Sequence, residues 1–344
     1  MQGLFILLKI YSRCKRDETV YFMPEEIKRL KLNELDKDMR LEGMALRIIS
    51  PLGSERVQRA LSPISNTFLS ALRLKKLNCN KLNISRKDGS QMRVCIMKSN
   101  INAGRRVGVL WFHGGGYSLG APEMAAISFP KKLLENMNCV IVSPDYTLSA
   151  KAPYPAAFRD ACTALDWVLE HRKQLGIESE KIIVGGESAG GGLAAALSIY
   201  ARDTGKNCFA FQVPLYPMLD DRVTKTSLHN DSPVWGTAEN RSAWRIYLGD
   251  RVMNQSVPVY AAPARETDLS GLPPVISAVG TADPFYFEDI TFFSNVRSAG
   301  TEVKLFTAKG AYHAFDMMAP YAKVSKTAVS FLLAACREFI DRYL

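Results

Sequence analysis

Ser188 is the single hydroxyl in a crowd of glycines. Gly185 and Gly186 precede it and Gly190, Gly191 and Gly192 follow it, in the run KIIVGGESAGGGLAAAL from Lys181 to Leu197. The β-branched residues before the glycines read as a strand and the alanine-rich residues after them as a helix. Gly186-Glu187-Ser188-Ala189-Gly190 therefore fits G-x-S-x-G in its strand-turn-helix context, where a sharp turn lifts the serine into a strained, exposed conformation and small neighbours keep backbone and helix from colliding. The chemistry is nucleophilic attack by a hydroxyl on a carbonyl carbon. A bare match could also be a glycine-rich phosphate-binding turn or plain loop chemistry; the flanking strand and helix favour the nucleophile.

A serine hydroxyl is a weak nucleophile and needs a base, normally a histidine oriented by a carboxylate. The chain has four histidines. His171, in LDWVLEHRKQLG, reads as a surface residue at a helix C-terminus, His229 as a loop residue, and His113 as part of the architecture of the glycine run it precedes. His313, in KGAYHAF, directly follows the last candidate strand and is placed like a strand-end base. The acid is expected between serine and histidine in chain order. Asp283, in ISAVGTADPF, emerges just after a buried-looking strand; Glu288, Asp289 and Asp250 are weaker candidates. Taken alone, Asp283 would read as a helix N-cap or an Asp-Pro turn.

Attack on a carbonyl also needs donors for the oxyanion. LWFHGGGYSLG fits, because glycines let backbone N–H groups face a site without side chains in the way, and Ala189 would add its own N–H at the positive end of the helix after Ser188.

These residues need elements to hold them. RVGVLWF, CVIVSPD, KIIVGG, AFQVPLY, PPVISAVG and EVKLFTA read as strands buried on both faces. Helical patterns lie at Pro122–Met137, Pro155–Leu175, Ala189–Asp203, Tyr286–Ala299 and Ala322–Tyr343, and the alternation predicts an open, mostly parallel α/β sheet. Before it, LNISRKDGSQMRVCIMKS reads as a hairpin around Lys87-Asp88-Gly89-Ser90. Residues 1–80 read as a separate helical element and basic N-terminal segment, with helical spacing at Pro24–Leu30 and Leu35–Leu46, and residues 81–344 as the α/β unit. Residues 219–263, carrying Trp235 and Trp244, interrupt the rhythm as an excursion above the sheet.

The 344 residues carry a net charge of +10. The excess is uneven: residues 1–110 hold 22 Lys and Arg against 10 Asp and Glu. The bland reading is solvated helical faces; the alternative is contact with an anionic membrane surface, with Leu4–Leu8 touching lipid. No nucleic-acid-binding motif is present, no signal peptide is expected from the opening residues, and no run approaches a membrane span. The seven cysteines, at positions 14, 79, 95, 139, 162, 208 and 336, form no CxxC pair, which argues against a disulfide framework or a zinc site and for a reducing, cytoplasmic setting.

From Val107 to the C-terminus the chain resembles the hormone-sensitive-lipase-like family of α/β-hydrolase carboxylesterases. The resemblance rests on HGGGYSLG, DYTLSAKAPYPAAFRDA, GGESAGGGLA, LYPMLDDR, YAAPARETDLSGLPP, VGTADPF and GAYHAF, in that order. It implies an α/β-hydrolase fold, a Ser188, Asp283, His313 triad and an oxyanion hole from the N–H groups of Gly115, Gly116 and Ala189, with Gly114 shaping the loop. It further implies an N-terminal helical cap, no metal or organic cofactor, and hydrolysis of small, short-acyl esters through an acyl-enzyme. Deacetylation or amide cleavage by the same mechanism, and a non-catalytic small-molecule-binding module, are the alternatives. The chain departs from the family at Asp145-Tyr146-Thr147-Leu148-Ser149-Ala150-Lys151, where Asp-Tyr-Arg-Leu-Ala-Pro-Glu is usual, at Glu187, where Asp is commoner, and at Ala314, where Gly is usual.

Overall fold

The six long apolar runs do become strands, and with the hairpin before them they form one eight-stranded sheet. The computed structural model of the protein describes residue 30 and residues 32–49, 53–70 and 79–344. The strands are β1 (Cys79–Ser85), β2 (Gln91–Lys98), β3 (Val107–Phe112), β4 (Cys139–Pro144), β5 (Ile182–Glu187), β6 (Phe209–Leu215), β7 (Val275–Gly280) and β8 (Val303–Ala308), in the spatial order 1-2-4-3-5-6-7-8. The β1–β2 and β2–β4 pairs are antiparallel and the pairs from β4–β3 to β7–β8 are parallel. β1 starts at Cys79, two residues before the expected boundary, because Cys79 and Asn80 continue the ladder opposite Met97 and Ile96.

Every residue of β3, β4, β5, β6 and β7 is buried, as strands covered on both faces must be. Leu110, Phe112, Val140, Val142 and Val184 point to the side of α4 (Ala156–Glu170) and α6 (Ala189–Asp203). Val109, Trp111, Ile141, Ile183 and Phe211 point to the side of α3 (Phe129–Asn136) and α10 (Lys323–Tyr343). α8 (Tyr286–Ser298) packs Phe292, Phe293 and Val296 against α6, and the single turn α9 (Phe315–Met318) lies between β8 and α10.

Two expected helices are broken where the chain chemistry requires it. The 122–137 pattern splits into a 3-10 turn, Pro122–Ala126, and α3, because Pro130 has no N–H to continue a helix from behind. The 155–175 pattern splits at His171 into α4 and the single turn α5 (Arg172–Leu175), closed by Gly176 at φ +79°.

Over the carboxyl ends of the strands lie α1 (Arg40–Ile49), α2 (Glu55–Ser70) and the 219–263 excursion, which contains α7 (Thr237–Leu248). Gln58 Nε2 on α2 donates to the Glu239 carbonyl at 3.1 Å, and Ser242 Oγ on α7 donates to the Gly53 carbonyl at 3.0 Å. The excursion is anchored beneath by the buried pair Asp221–Arg265 at 2.6 Å. Leu41, Ile64 and Phe68 are exposed on the outer faces of α1 and α2. The Leu4–Leu8 run and residues 24–29 of the first helical pattern fall outside the described residues. No helix of the described residues is long and apolar enough to cross a membrane.

Candidate active site

The turn between β5 and α6 holds Ser188 at φ 55°, ψ −121°, a conformation that costs a non-glycine residue about 1–3 kcal/mol. The surroundings fix it: Ser188 N–H donates to the Leu215 carbonyl at 3.0 Å, and its own carbonyl accepts from Gly192 and Met218, each at 3.0 Å. The glycines make this crossing possible. A Cβ on Gly186 would run into the backbone of Gly190, and one on Gly190 would run into the Phe112 carbonyl oxygen at the end of β3.

His313 and Asp283 arrive on two loops that are bonded to each other. Thr281 N–H donates to the Ala308 carbonyl at 2.9 Å, Ala282 N–H to the Ala311 carbonyl at 3.0 Å, and Gly310 N–H to Thr281 Oγ1 at 2.8 Å. Parallel pairing of β7 with β8 thus delivers both side chains to one place. His313 Nδ1 lies 2.7 Å from Asp283 Oδ2, and His313 Nε2 lies 2.9 Å from Ser188 Oγ. The imidazole is buried and meets Tyr216 and Phe285 edge-on, each ring centroid 5.1 Å away. Tyr216 was not singled out from sequence; its signal is its place just beyond the end of β6.

The other candidates go elsewhere. His171 stacks on Trp167 and bonds its carbonyl, and His229 is exposed. His113 is buried and stacked on Tyr146 at 4.2 Å; burial pushes its pKa down, so the ring is neutral and its Nδ1–H donates to the Gly114 carbonyl at 2.8 Å. Glu288 Oε1 accepts the N–H groups of Leu219 and Asp220, and Asp250 is exposed in a 3-10 turn. Burial pushes the carboxyls of Glu288 and Asp289 well above the usual range, and that of Glu187 up to about 8. Trp111 Nε1–H donates to Glu187 Oε2 at 2.9 Å, directly beneath the serine turn.

The loop after β3 lies against the same turn. A Cβ on Gly114 would sit 3.3 Å from Ser188 Cβ. Gly115, Gly116 and Tyr117 follow with φ of 117°, 58° and 59°, a left-handed run that glycine starts at little cost. Ser118 and Leu119 N–H groups turn back to the Gly115 carbonyl, at 3.1 and 2.9 Å. Among the described residues, the N–H groups of Gly115, Gly116 and Ala189 have no protein acceptor. From outside, α2 supports the loop: Ser118 Oγ donates to Gln58 Oε1 at 3.1 Å and Asn66 Nδ2 to the Gly120 carbonyl at 3.1 Å. Trp235 covers it, since a Cβ on Gly116 would lie 2.7 Å from Trp235 Cζ2. Trp244 packs farther back with Tyr117 and Tyr247, and Tyr286 joins the core on the α10 side. Among the described residues no group of three or more His, Cys, Asp or Glu side chains could hold a metal ion.

Ser188 at the carboxyl end of a parallel sheet, with a histidine and a carboxylate in a hydrogen-bonded line and a glycine loop beside it, has the arrangement that serine-type hydrolysis requires. Residues 109–317 match the family described as having the alpha/beta hydrolase fold, and the chain belongs to that family. It is 32% identical to Esterase LipI of Mycobacterium tuberculosis over 67% of this chain and 72% of that one. It is 30% identical to Carboxylesterase NlhH of the same species, over the same shares of the two chains. Among solved structures, a bacterial heroin esterase superposes with a TM-score of 0.78 at 29% identity, covering 90% of this chain and 98% of that one. These relatives bear out the expected α/β-hydrolase fold and the resemblance to hormone-sensitive-lipase-like carboxylic-ester hydrolases.

Proposed function

We propose that the protein is a serine carboxylesterase that hydrolyses small, short-acyl esters through an acyl-enzyme. The observation that carries this reading is the continuous hydrogen-bonded line from Asp283 through His313 to Ser188, with both contacts under 3 Å. Ser188 Oγ attacks the ester carbonyl carbon as its proton passes to His313 Nε2, and Asp283 holds the imidazolium that results. The carbonyl oxygen, now negative, accepts the N–H groups of Gly115, Gly116 and Ala189, while Gly114 keeps the loop close to the serine. Such donors are worth about 3 kcal/mol of barrier each. Collapse expels the alcohol, which takes the proton from His313; water then repeats the sequence and releases the acid.

A short acyl group is supported by Trp235, whose indole lies on Gly116 with its ring 6.2 Å from that of His313. α1 and α2, within residues 1–80, act as the cap over this site, and residues 81–344, with the 219–263 excursion, form the catalytic domain. Six described cysteines are free thiols, which supports a reducing setting such as the cytoplasm.

The test is hydrolysis of p-nitrophenyl esters from acetate to decanoate, with Ser188→Ala alongside and a p-nitroanilide of the best acid as the amide control. Activity that falls with chain length and vanishes in the variant supports the proposal. Cleavage of the anilide alone would move the reading to an amidase, and no turnover by a folded protein to a binding module.

A further inference from the structure

Away from the triad, a cavity of about 670 Å3 opens between α2, the β1–β2 hairpin and the loop that follows β4. Its walls carry four basic side chains, Arg59, Arg86, Arg93 and Lys151, against one carboxylate, Asp145. Two of the four are already committed. Arg86 holds Asp160 at 2.6 Å, and Arg93 is shared between Glu123 and Asp145. The other two differ: Arg59 on α2 and Lys151 in the loop after β4 are exposed, and among the described residues neither side chain has an acidic or carbonyl partner.

We propose that this cavity is a binding site for a phosphate-bearing small molecule, its phosphate held between Arg59 and Lys151. The two cations enter from different elements, and a phosphate dianion matches their combined charge while offering each an oxygen, where a carboxylate carries half that charge. Arg86 and Arg93, with Lys81, are balanced by Asp160, Glu123 and Asp145, so the positive charge the cavity offers is that of Arg59 and Lys151. The site touches the oxyanion loop from behind. Asn66 Nδ2, in the cavity wall, donates both to Asp145 Oδ1 at 3.0 Å and to the Gly120 carbonyl at 3.1 Å. Tyr146, another wall residue, stacks on His113 and donates its hydroxyl proton to the His113 carbonyl at 2.8 Å. A phosphate bridging Arg59 to Lys151 therefore draws α2 onto the loop whose amides face Ser188.

The test is titration calorimetry of the whole protein with inorganic phosphate at constant ionic strength, because exposed charge pairs are screened by salt. Saturable binding that weakens at least tenfold in Lys151→Glu and in Arg59→Ala is expected. Both variants should keep the parent's melting temperature in phosphate-free buffer and its p-nitrophenyl acetate turnover within twofold. No saturable binding, or binding that neither substitution weakens, would overturn the proposal. Two further arms identify the source of the phosphate. Competition by glycerol 3-phosphate alone assigns a soluble phosphomonoester; competition by phosphatidylcholine vesicles only when they contain phosphatidic acid assigns a lipid headgroup.

Discussion

Asp283 meets His313 with only one of its two carboxylate oxygens. Oδ2 lies 2.7 Å from His313 Nδ1, while Oδ1 accepts the Phe285 N–H at 2.9 Å. The residue thus closes an Asp-Pro turn and orients the imidazole at the same time, so the turn reading and the site reading of this residue describe two oxygens of one group. Asp283→Asn keeps the turn, whose bond its amide oxygen can accept, and presents an NH2 to Nδ1, which selects the wrong tautomer. Its kcat for p-nitrophenyl acetate is expected to fall by roughly 10^3–10^4-fold with the melting temperature nearly unchanged. Ser188→Ala and His313→Ala should each cost roughly 10^4–10^6-fold, and the double variant no more than the worse single one, because the groups act as a unit.

Trp235 is expected to set the acyl length. Its ring covers Gly116, and among the described residues no hydrogen-bond partner meets its buried Nε1, so the side chain acts there as an apolar wall. In Trp235→Ala the ratio of kcat/KM for p-nitrophenyl hexanoate to that for acetate should rise about tenfold or more, since accommodating even one of the four additional methylenes in an apolar pocket is worth about 1–3 kcal/mol. An unchanged ratio would place the acyl chain elsewhere.

Much of this was legible in the sequence because parallel strands and their loops leave local signatures. All six long apolar runs became strands within two residues, and Ser188, Asp283 and His313 sit at three strand ends where order along the chain maps onto position in space. What was not legible is what depends on packing from far away. α7 carries Trp244 and Tyr247 into a contact with Tyr117, and its apolar residues, spread around partners from several elements, leave only a weak stripe of their own. Tyr216 gives no local hint of its edge contact with His313, because the two are brought together only by the sheet. The support of the glycine loop after β3 by Gln58 and Asn66 joins residues more than fifty positions apart.

Glu187 makes stability depend on pH. Burial raises its pKa from the ordinary 4.5 to about 8, so the folded state keeps a proton that the unfolded chain has released over that window. The unfolded chain therefore binds fewer protons, and the contribution of this group to stability falls as pH rises from about 4.5 to about 8, by about 1.4 kcal/mol per pH unit, and is level on either side. Glu187→Gln retains an acceptor for Trp111 Nε1–H and cannot ionise. Urea denaturation at pH 5, 6, 7 and 8 should show the variant gaining on the parent at each step, and parallel curves would refute the assignment.

Ala314 occupies a left-handed conformation, φ 56° and ψ 32°, immediately after His313. A methyl-bearing residue there pays about 1–2 kcal/mol that glycine does not, against which glycine loses more chain entropy on folding. Ala314→Gly is accordingly expected to stabilise the protein by a net of about 0.5–1 kcal/mol in urea denaturation, with ester hydrolysis within twofold. A loss of stability would mean that the buried methyl packs better than the strain costs.

Thr147 raises the question of what replaces a missing cation. Where the resembled family usually has arginine, Thr147 donates its N–H and its hydroxyl proton to Asp160 Oδ2, both at 2.7 Å. The charge on this buried carboxylate is met instead from the hairpin: Arg86 Nε lies 2.6 Å from Asp160 Oδ1 and Nη2 lies 3.0 Å from Oδ2. Arg86 also donates to Thr147 Oγ1 at 3.3 Å, so one guanidinium from the β1–β2 turn supports this loop from outside. Arg86→Ala leaves Asp160 buried without a cation and should cost about 2–4 kcal/mol, somewhat less than a fully buried pair because the Arg86 side chain is partly exposed. Thr147→Arg in that background brings a guanidinium back to the same carboxylate from the other side, and at least half of the loss should return. If it does not, Asp160 depends on the hairpin for more than charge, and the β1–β2 turn has become part of the loop's architecture in this chain.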